Sequence, residues 1–354
     1  MIIFNNKLKY KGMKKNLFIG IDFSKATFDV SVIHGADLET AKHKQFANVQ
    51  TGYEEMLEWV KKQTYLPQTD WLFCGENTGL YSLLLSEFLA KQGLVMWLDN
   101  PVQIKFSKGI CRDKNDKIDS RDIALYATRF QDRMRAYQLY DENLKSLELL
   151  QSYRERLVNM RVIHQVSDKE LGGVLQENAA ANFICKRSQS DIERLNKEIK
   201  EVEEEMKKVI YANEKLNETY AIIISIVGIG LINAVAIIVA TRNFTRFETG
   251  RQFATFVGLA PFGKDSGTCL KTPPHVSHLA NKRIKALLTQ AALCAIRHDE
   301  KLQRYYQRKM AEGKHKGVVL NNVKNKLVHI MFALVNSKEF YKKDYIRPAK
   351  QVAA

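Results

Sequence analysis

Acidic side chains are scarce at one end of this sequence. Residues 241 to 354 hold only 7 of them against 22 Lys and Arg, a local net of +15 out of +16 for the whole chain, so everything before is close to neutral. Cysteine is scarce as well. Cys74, Cys111, Cys185, Cys269 and Cys294 make an odd count of five without CxxC spacing, which excludes a disulfide scaffold and a thiolate zinc site and fits a reducing cytosol. No apolar run of signal-peptide length opens the chain, and residues 1 to 16, MIIFNNKLKYKGMKKN, read as a short basic leader. One stretch alone, AIIISIVGIGLINAVAIIVA at 221 to 240, approaches the ~20 apolar residues that span a bilayer. Gly228, Gly230 and Asn233 interrupt it, so no membrane partner is expected.

What is present points to a polyanion. Apolar residues at 45% supply a sizeable core and exclude a disordered chain, and 354 residues allow two to three domains. A basic excess confined to the final third is the electrostatic footprint of a nucleic-acid-binding surface, with an acidic membrane face as the rival. The expected location is the cytoplasm, at the nucleoid.

Residues 17 to 138 alternate strand and helix patterns. LFIGIDF (17–23), ATFDVSVIH (26–34) and HKQFANV (43–49) predict three strands, the first two joined only by Ser24 and Lys25 as in a hairpin. YEEMLEWVKKQ predicts a helix, with Met56, Leu57 and Val60 at helical spacing. Then follow a strand at WLFCGE (71–76), a helix at LYSLLLSEFLAKQG closed by Gly93, a strand at VMWLD and, after Pro101, a helix at IDSRDIALYATRF. That element order is the one of an α/β ribonuclease-H-like domain, a mixed sheet with helices.

From 139 to 215 the period changes. Ile192, Leu195, Ile199, Val202, Met206 and Val209 form a heptad seam, and Leu147, Leu150, Leu157, Met160 and His164 lie on a similar stripe. Two long antiparallel helices around a polar turn near 171–190 are expected, either self-packed or as a dimerising coiled coil. Residues 216 to 345 read as a mostly α-helical C-terminal domain with glycine-rich, basic loops, and 346 to 354 as a tail.

Four carboxylates fall where such an α/β domain collects them. Asp22 ends the first strand in GIDFSK, Glu76 ends the fourth in CGENTG, and Asp116 and Asp119 stand three apart in DKNDKIDSRD, on one face of a helix. Strand ends are where an open sheet presents side chains to a ligand, and clustered carboxylates repel unless cations neutralise them. A pair of Mg²⁺ ions, hard cations that take oxygen ligands, is the natural occupant. Any one of the four taken alone is ordinarily a turn residue, a cap or a solvated salt-bridge member. Together, in this order on these elements, they indicate metal chemistry. Asp113 and Asp122 flank the helical pair, and spacing does not decide between them and Asp116 or Asp119. Lys25, Lys114, Lys117 and Arg121, interleaved with the carboxylates, are expected nucleic-acid contacts.

At these residues the chain resembles a known family. GIDFSKATFDV, ENTGLYS and KNDKIDSRDIALYA resemble the N-terminal domain of the DEDD transposases, insertion-sequence enzymes described as bridge-RNA-guided serine recombinases. IVGIGLINAVAIIVATRNFTRFETGRQFATFVGLAPFGKDSGT resembles that family's C-terminal transposase domain, and the blocks run in the family's order over roughly 17 to 335. The resemblance implies that Asp22, Glu76, Asp116 and Asp119 ligate Mg²⁺, and that Ser266 in KDSG attacks the DNA phosphodiester and holds the cut end as a phosphoserine. It also implies a homodimer or homotetramer, donor and target DNA as substrates, and a noncoding guide RNA. Two positions depart from the pattern. Ser120 stands where Ala commonly follows the second Asp, and HVSHLANKRIKALL replaces a serine, a basic pair and a glycine, which leaves Ser277 as the second candidate nucleophile.

The residues around Ser266 have a chemistry of their own. A serine hydroxyl needs activation by a base or by a polarised target, and His275 and His278 are the nearest imidazoles in sequence. Gly263 and Gly267 bracket Lys264, Asp265 and Ser266 and allow close backbone approach to a phosphate that Lys264 and Lys271 neutralise. Gly228 and Gly230 sit between apolar runs either as a helix-hairpin-helix that offers amides to a nucleic-acid backbone or as a packed core turn. NKRIKALL, with Lys282 and Arg283, begins a set of helices with one basic face, an expected phosphate contact. The main alternative function is a metal-dependent nuclease or junction resolvase in which the carboxylates activate water and Ser266 is structural. A third is a noncatalytic nucleic-acid-binding protein on a decayed nuclease fold.

Overall fold

The computed structural model describes residues 14–107, 116–139, 141–175, 178–266, 270–276 and 280–343. Lys114, Asp113, Gly267, Ser277 and His278, most of the leader and the tail lie outside them, and for Asp116, Lys117 and residues 262–266 and 270–276 the backbone alone is described. The chain divides into two compact units, Met1–Leu139 and Tyr140–Ala354.

The first unit is a five-stranded sheet in the order β3-β2-β1-β4-β5. β1 (Leu17–Phe23), β2 (Thr27–His34) and β3 (Asp37–Ala47) are antiparallel, whereas β4 (Trp71–Glu76) and β5 (Met96–Asp99) run parallel to β1. The period of two along each strand sorts side chains onto two faces. Leu17, Ile19, Ile21, Val30 and Phe73 pack under α1 (Gln50–Lys62) and α2 (Leu80–Lys91), with Met56, Val60, Leu85 and Leu89. Phe18, Ile33, Leu72, Cys74 and Trp97 pack on the other face under α4 (Asp116–Arg129), with Ile123, Ala124, Tyr126 and Ala127. Two details differ from the pattern-based expectation. β3 begins six residues earlier, at Asp37, because a turn at Gly35 (φ +58°) returns the chain at once. A short helix α3 (Pro101–Ser107) also follows β5.

The second unit opens with α5 (Glu142–Val174) and α6 (Ala179–Tyr211). Their cross-pairs, Arg154 with Glu203 and Arg161 with Asn196, fix an antiparallel hairpin. Leu144, Leu147, Leu157, Leu195, Ile199, Met206 and Ile210 join one core with the helices that follow. The seam thus ends on Ile210, with Val209 only partly buried. Toward the tip the hairpin is different: Ile163, Val166, Val174 and Phe183 are exposed.

The apolar stretch at 221–240 is two helices, α7 (Glu214–Ile224) and α8 (Leu231–Thr241), broken by the glycine turn. After α9 (Gly250–Val257) comes an antiparallel hairpin of β6 (Pro261–Ser266) and β7 (Leu270–Val276) where a loop was expected. Its register slips between Phe262 and Lys264, where Pro273 and Pro274 of β7 stand opposite Gly263 alone, a β-bulge on β7. Three helices close the unit, α10 (Lys282–His298), α11 (Glu300–Ala311) and α12 (Lys316–Ser337). Among the described helices α12 alone is long and apolar enough to cross a membrane, and its Val323, Leu327, Val328, Met331 and Phe332 are buried in this core.

Candidate active site at the acidic end of the sheet

Register places a row of polar residues across the sheet. Asp22 pairs with Asp29 on β2, and Asp29 with Gln45 on β3. Ile21 pairs with Gly75, so Asp22 and Glu76 take the next positions of adjacent parallel strands, and Glu76 pairs with Asp99 on β5. Alternation puts Asp22, Asp29, Glu76 and Asp99 on the α4 face.

α4 brings the third and fourth predicted ligands to the same end. Ser120 and Ala124 lie directly on Gly20 of β1, where a Cβ would stand 2.1 Å from the Ser120 carbonyl oxygen and 2.3 Å from the Ala124 nitrogen. Only a glycine permits so close a crossing. Ser31 and Ser120 share a buried hydrogen bond of 2.8 Å at the same level, which gives the hydroxyl that replaces the family's Ala its own partner. At the far end of the helix the Thr128 hydroxyl donates to the Gly35 carbonyl, 3.2 Å away, beside the turn next to the start of β1. α4 therefore runs opposite to β1, and its first turn, which opens with Asp116 and carries Asp119, comes at the Asp22 end.

The outer carboxylates of the row are occupied within the protein. Asp29 is 7% exposed; its Oδ1 lies 2.7 Å from His43 Nε2 and its Oδ2 accepts from Gln45 Nε2 at 2.9 Å. Asp99 accepts from the Asn100 backbone N–H at 2.7 Å and from the Tyr126 hydroxyl at 2.7 Å. Burial first, and then the bond to Asp99, push the Tyr126 phenol well above its ordinary value, so it stays a donor. Pattern reading missed both braces. β2 spelled Asp29 and Ser31 two apart on one face, and VMWLD ended in Asp99, but neither shows its partner before the strands are paired.

Asp22, Glu76 and Asp119 are half-buried. Their donors are oxygens alone, without His or Cys, which suits a hard divalent cation over zinc. Among the described residues no three such groups close into a chelating cluster, and Asp116 is the fourth ligand in the predicted set. Of the flanking candidates, Asp122 is 15% exposed with Arg121 3.9 Å away.

The basic residues distribute unevenly. Lys25 is exposed in the β1–β2 turn, three residues after Asp22, and Lys117 is the second residue of α4. Lys282 is exposed at the first position of α10, whereas Arg283 beside it is paired with Glu155 of α5. Ser266 is the last residue of β6, opposite Leu270, with Lys264 two residues before it and Lys271 opposite Asp265. Both ends of this hairpin are fastened near the C-terminus of α9: Asn321 Nδ2 donates to the Leu259 carbonyl at 2.8 Å and the Asn281 N–H to the Phe256 carbonyl at 3.1 Å. The two glycines of the helical turn divide the alternatives between them. Gly228 has φ +91° and packs on α10, where a Cβ would sit 2.4 Å from the Ala291 carbonyl oxygen, so it is a core turn. Gly230 is exposed at the N-cap of α8 with nothing within 4 Å of a Cβ, and no side chain of the N-cap residue closes that helix end.

The first unit is compatible with a ribonuclease-H-like DEDD domain, and the whole chain with an enzyme that cuts and joins DNA. A family model for the DEDD domain of IS110 transposases, described as transposase, matches residues 19–169, and one described as transposase of the IS116/IS110/IS902 family matches residues 220–307. The chain is 23% identical over 329 residues to the pilin gene-inverting protein of Moraxella bovis, covering 92% of this chain and 98% of that one. It is 25% identical over 321 residues to the transposase for insertion sequence element IS1111A of Coxiella burnetii, covering 82% and 81%. The chain belongs to the IS110-type DEDD transposases.

Proposed function

We propose that this DNA transposase joins strands through a phosphoserine, with Ser266 as nucleophile and Asp22, Glu76, Asp116 and Asp119 as the seat of two Mg²⁺ ions. The observation that carries it is the delivery of the first turn of α4 to the sheet end where Asp22 and Glu76 stand side by side. Bound Mg²⁺ supplies charge neutralisation of the scissile phosphate and of the carboxylates. The chain's own part is the attack. The Ser266 Oγ–P bond forms as a phosphodiester P–O bond breaks, and the serine proton balances the hydroxyl left on the departing strand. Resolution by a strand hydroxyl regenerates the serine, so no hydrolysed end appears. Lys25, Lys264, Lys271, Lys282 and the amides of α8 hold the phosphate backbone. Donor and target DNA are the substrates, with a noncoding bridge RNA from the element as guide. The exposed apolar residues at the α5–α6 tip support assembly of a dimer or tetramer.

Covalent trapping tests the nucleophile. Wild type, incubated with labelled element-end DNA and Mg²⁺ and then denatured, is expected to carry a protein-linked strand that Ser266→Ala abolishes. An adduct that survives Ser266→Ala assigns the attack elsewhere, with Ser277 next, and cleavage without any adduct establishes the nuclease alternative. Sequencing RNA that copurifies tests the guide: a discrete noncoding species is expected, and random fragments overturn it.

A further inference from the structure

We propose that Lys285 and Lys324 form a seat for one phosphodiester of a nucleic-acid backbone at the seam of α10 and α12. The proposal rests on the chain's acting on nucleic acid and adds a contact outside the basic residues named so far. Lys324 is 6% exposed, on a helix whose neighbouring Val323, Leu327 and Val328 are buried in the core. An ammonium so placed is costly unless an anion or several acceptors compensate it. Its hydrogen bond among the described residues is a long one, 3.3 Å to the Thr289 hydroxyl, which itself donates to the Lys285 carbonyl at 2.8 Å. Of three ammonium donors, one is engaged there.

No carboxylate pairs with Lys324 or Lys285 among the described residues, and Lys285 is close enough for its charge to oppose that of Lys324. Some other cations of this unit do have counterions: Arg154 has Glu203, Arg283 has Glu155, Lys309 has Glu312 and Lys338 has Glu218. Burial, and then the charge of Lys285, hold the Lys324 ammonium below its ordinary value, the condition an arriving anion would relieve. Lys282, Lys285 and Thr289 recur at helical spacing on α10, and exposure falls along them from the open Lys282 to the half-buried pair. A phosphate has several oxygens on one centre and can accept from both lysines at once. One turn before Lys324, Asn321 holds the root of β6, the strand that ends at Ser266. The seat therefore lies one helical turn from the residue that fastens the chain leading into β6.

Salt dependence of binding tests this. Affinities of the full chain for duplex DNA and for single-stranded RNA are measured against salt for wild type, Lys324→Met, Lys285→Met and the double variant, with thermal melts of each. Loss of one phosphate contact flattens the slope of log K against log salt by about 0.9 for duplex DNA or about 0.7 for a single strand. The expected result is that each single variant, and equally the double variant, loses one contact, because both lysines serve the same phosphate. The arm in which the slope changes identifies the polymer. Unchanged slopes in both arms overturn the seat, and so does a double variant that loses two contacts, which would mean two independent lysines. Wild type that binds neither polymer refutes the nucleic-acid reading itself. Lys285, half-buried, keeps the test open if Lys324→Met melts early.

Discussion

Gly20→Ala is a one-methyl change with a large expected effect, because it acts on backbone. The added Cβ would lie 2.1 Å from the Ser120 carbonyl oxygen, 2.3 Å from the Ala124 nitrogen and 2.9 Å from the Ala124 Cα, none of which is the movable end of a side chain. Relief requires α4 to retreat from β1 by about 1 Å, and a gap of 0.5–1 Å forfeits roughly a quarter to a half of the dispersion well of every contact across it. Ile123, Ala124, Tyr126 and Ala127 are the side chains that α4 buries against the sheet, and the Ser31–Ser120 hydrogen bond would lengthen with them. At about 2 kcal/mol for each large buried side chain, less for alanine, plus about 1 kcal/mol for the hydrogen bond, the loss comes to roughly 2–4 kcal/mol. That corresponds to a melting point lower by about 6–12 °C, followed by circular dichroism on the full chain. Cleavage in Mg²⁺ is expected to fall further than stability alone would require, since Asp119 moves with the helix away from Asp22 and Glu76. A variant that melts like wild type and cleaves at wild-type rate would refute the close crossing and, with it, the account of how the carboxylates are brought together.

The remaining expectations are independent of that crossing. Gly228→Ala is expected to destabilise by about 2 kcal/mol or more, through its positive φ and the approach to Ala291, whereas Gly230→Ala, with open space around it, should stay within about 0.5–1 kcal/mol in the same urea titration. Equal effects would contradict the division between a packed and an exposed glycine. Ile163→Lys combined with Phe183→Lys, both at exposed positions, should lower the mass seen by light scattering without lowering the melting point, and an unchanged mass would remove the α5–α6 tip from the assembly interface. Saturating Mg²⁺ should raise the melting point of wild type, by the equivalent of about 2.7 kcal/mol at 100 times the dissociation constant, and should leave Asp22→Asn unmoved. A shift retained in Asp22→Asn would place the ion elsewhere.

Much of the first unit was legible in sequence because its sheet is buried on both faces. Apolar runs such as LFIGIDF and WLFCGE then have few alternatives, and flanking turn residues bound them. The early part of β3 carries little strand signal because it lies at a sheet edge: Leu38, Glu39, Lys42 and Lys44 are exposed, so no apolar alternation marks it. The β6–β7 hairpin was invisible for a related reason. Its residues, from Pro261 through Lys264 to Pro273 and Pro274, have turn composition, and its ends are held by Asn321 and Asn281 rather than by propensity. Asp22 and Glu76 could be chosen because each ends a strand. Asp29 and Asp99 could not be told from solvated residues, since their partners at His43, Gln45 and Tyr126 come from register and helix placement. Gly228 and Gly230 were equivalent as letters, and only the passage of α10 beneath one of them separates their roles.

The polar row also accounts for how a protein can keep like charges on neighbouring strands. Carboxylates on adjacent strands stand about 5 Å apart, where each repulsion is worth roughly 3 kcal/mol at an effective dielectric constant near 20. At the two ends of the row the cost is offset from within, by His43 and Gln45 on Asp29 and by Asn100 and Tyr126 on Asp99, every one of them a donor with fixed geometry. Those bonds engage both oxygens of each outer carboxylate. The inner pair, Asp22 and Glu76, is the place to which α4 brings a further carboxylate, Asp119. Such a gathering of carboxylates is what the proposed Mg²⁺ ions would neutralise. The basic surplus of residues 241 to 354 is the part of the sequence whose charge suits a polyanion, the property expected of a surface that meets DNA.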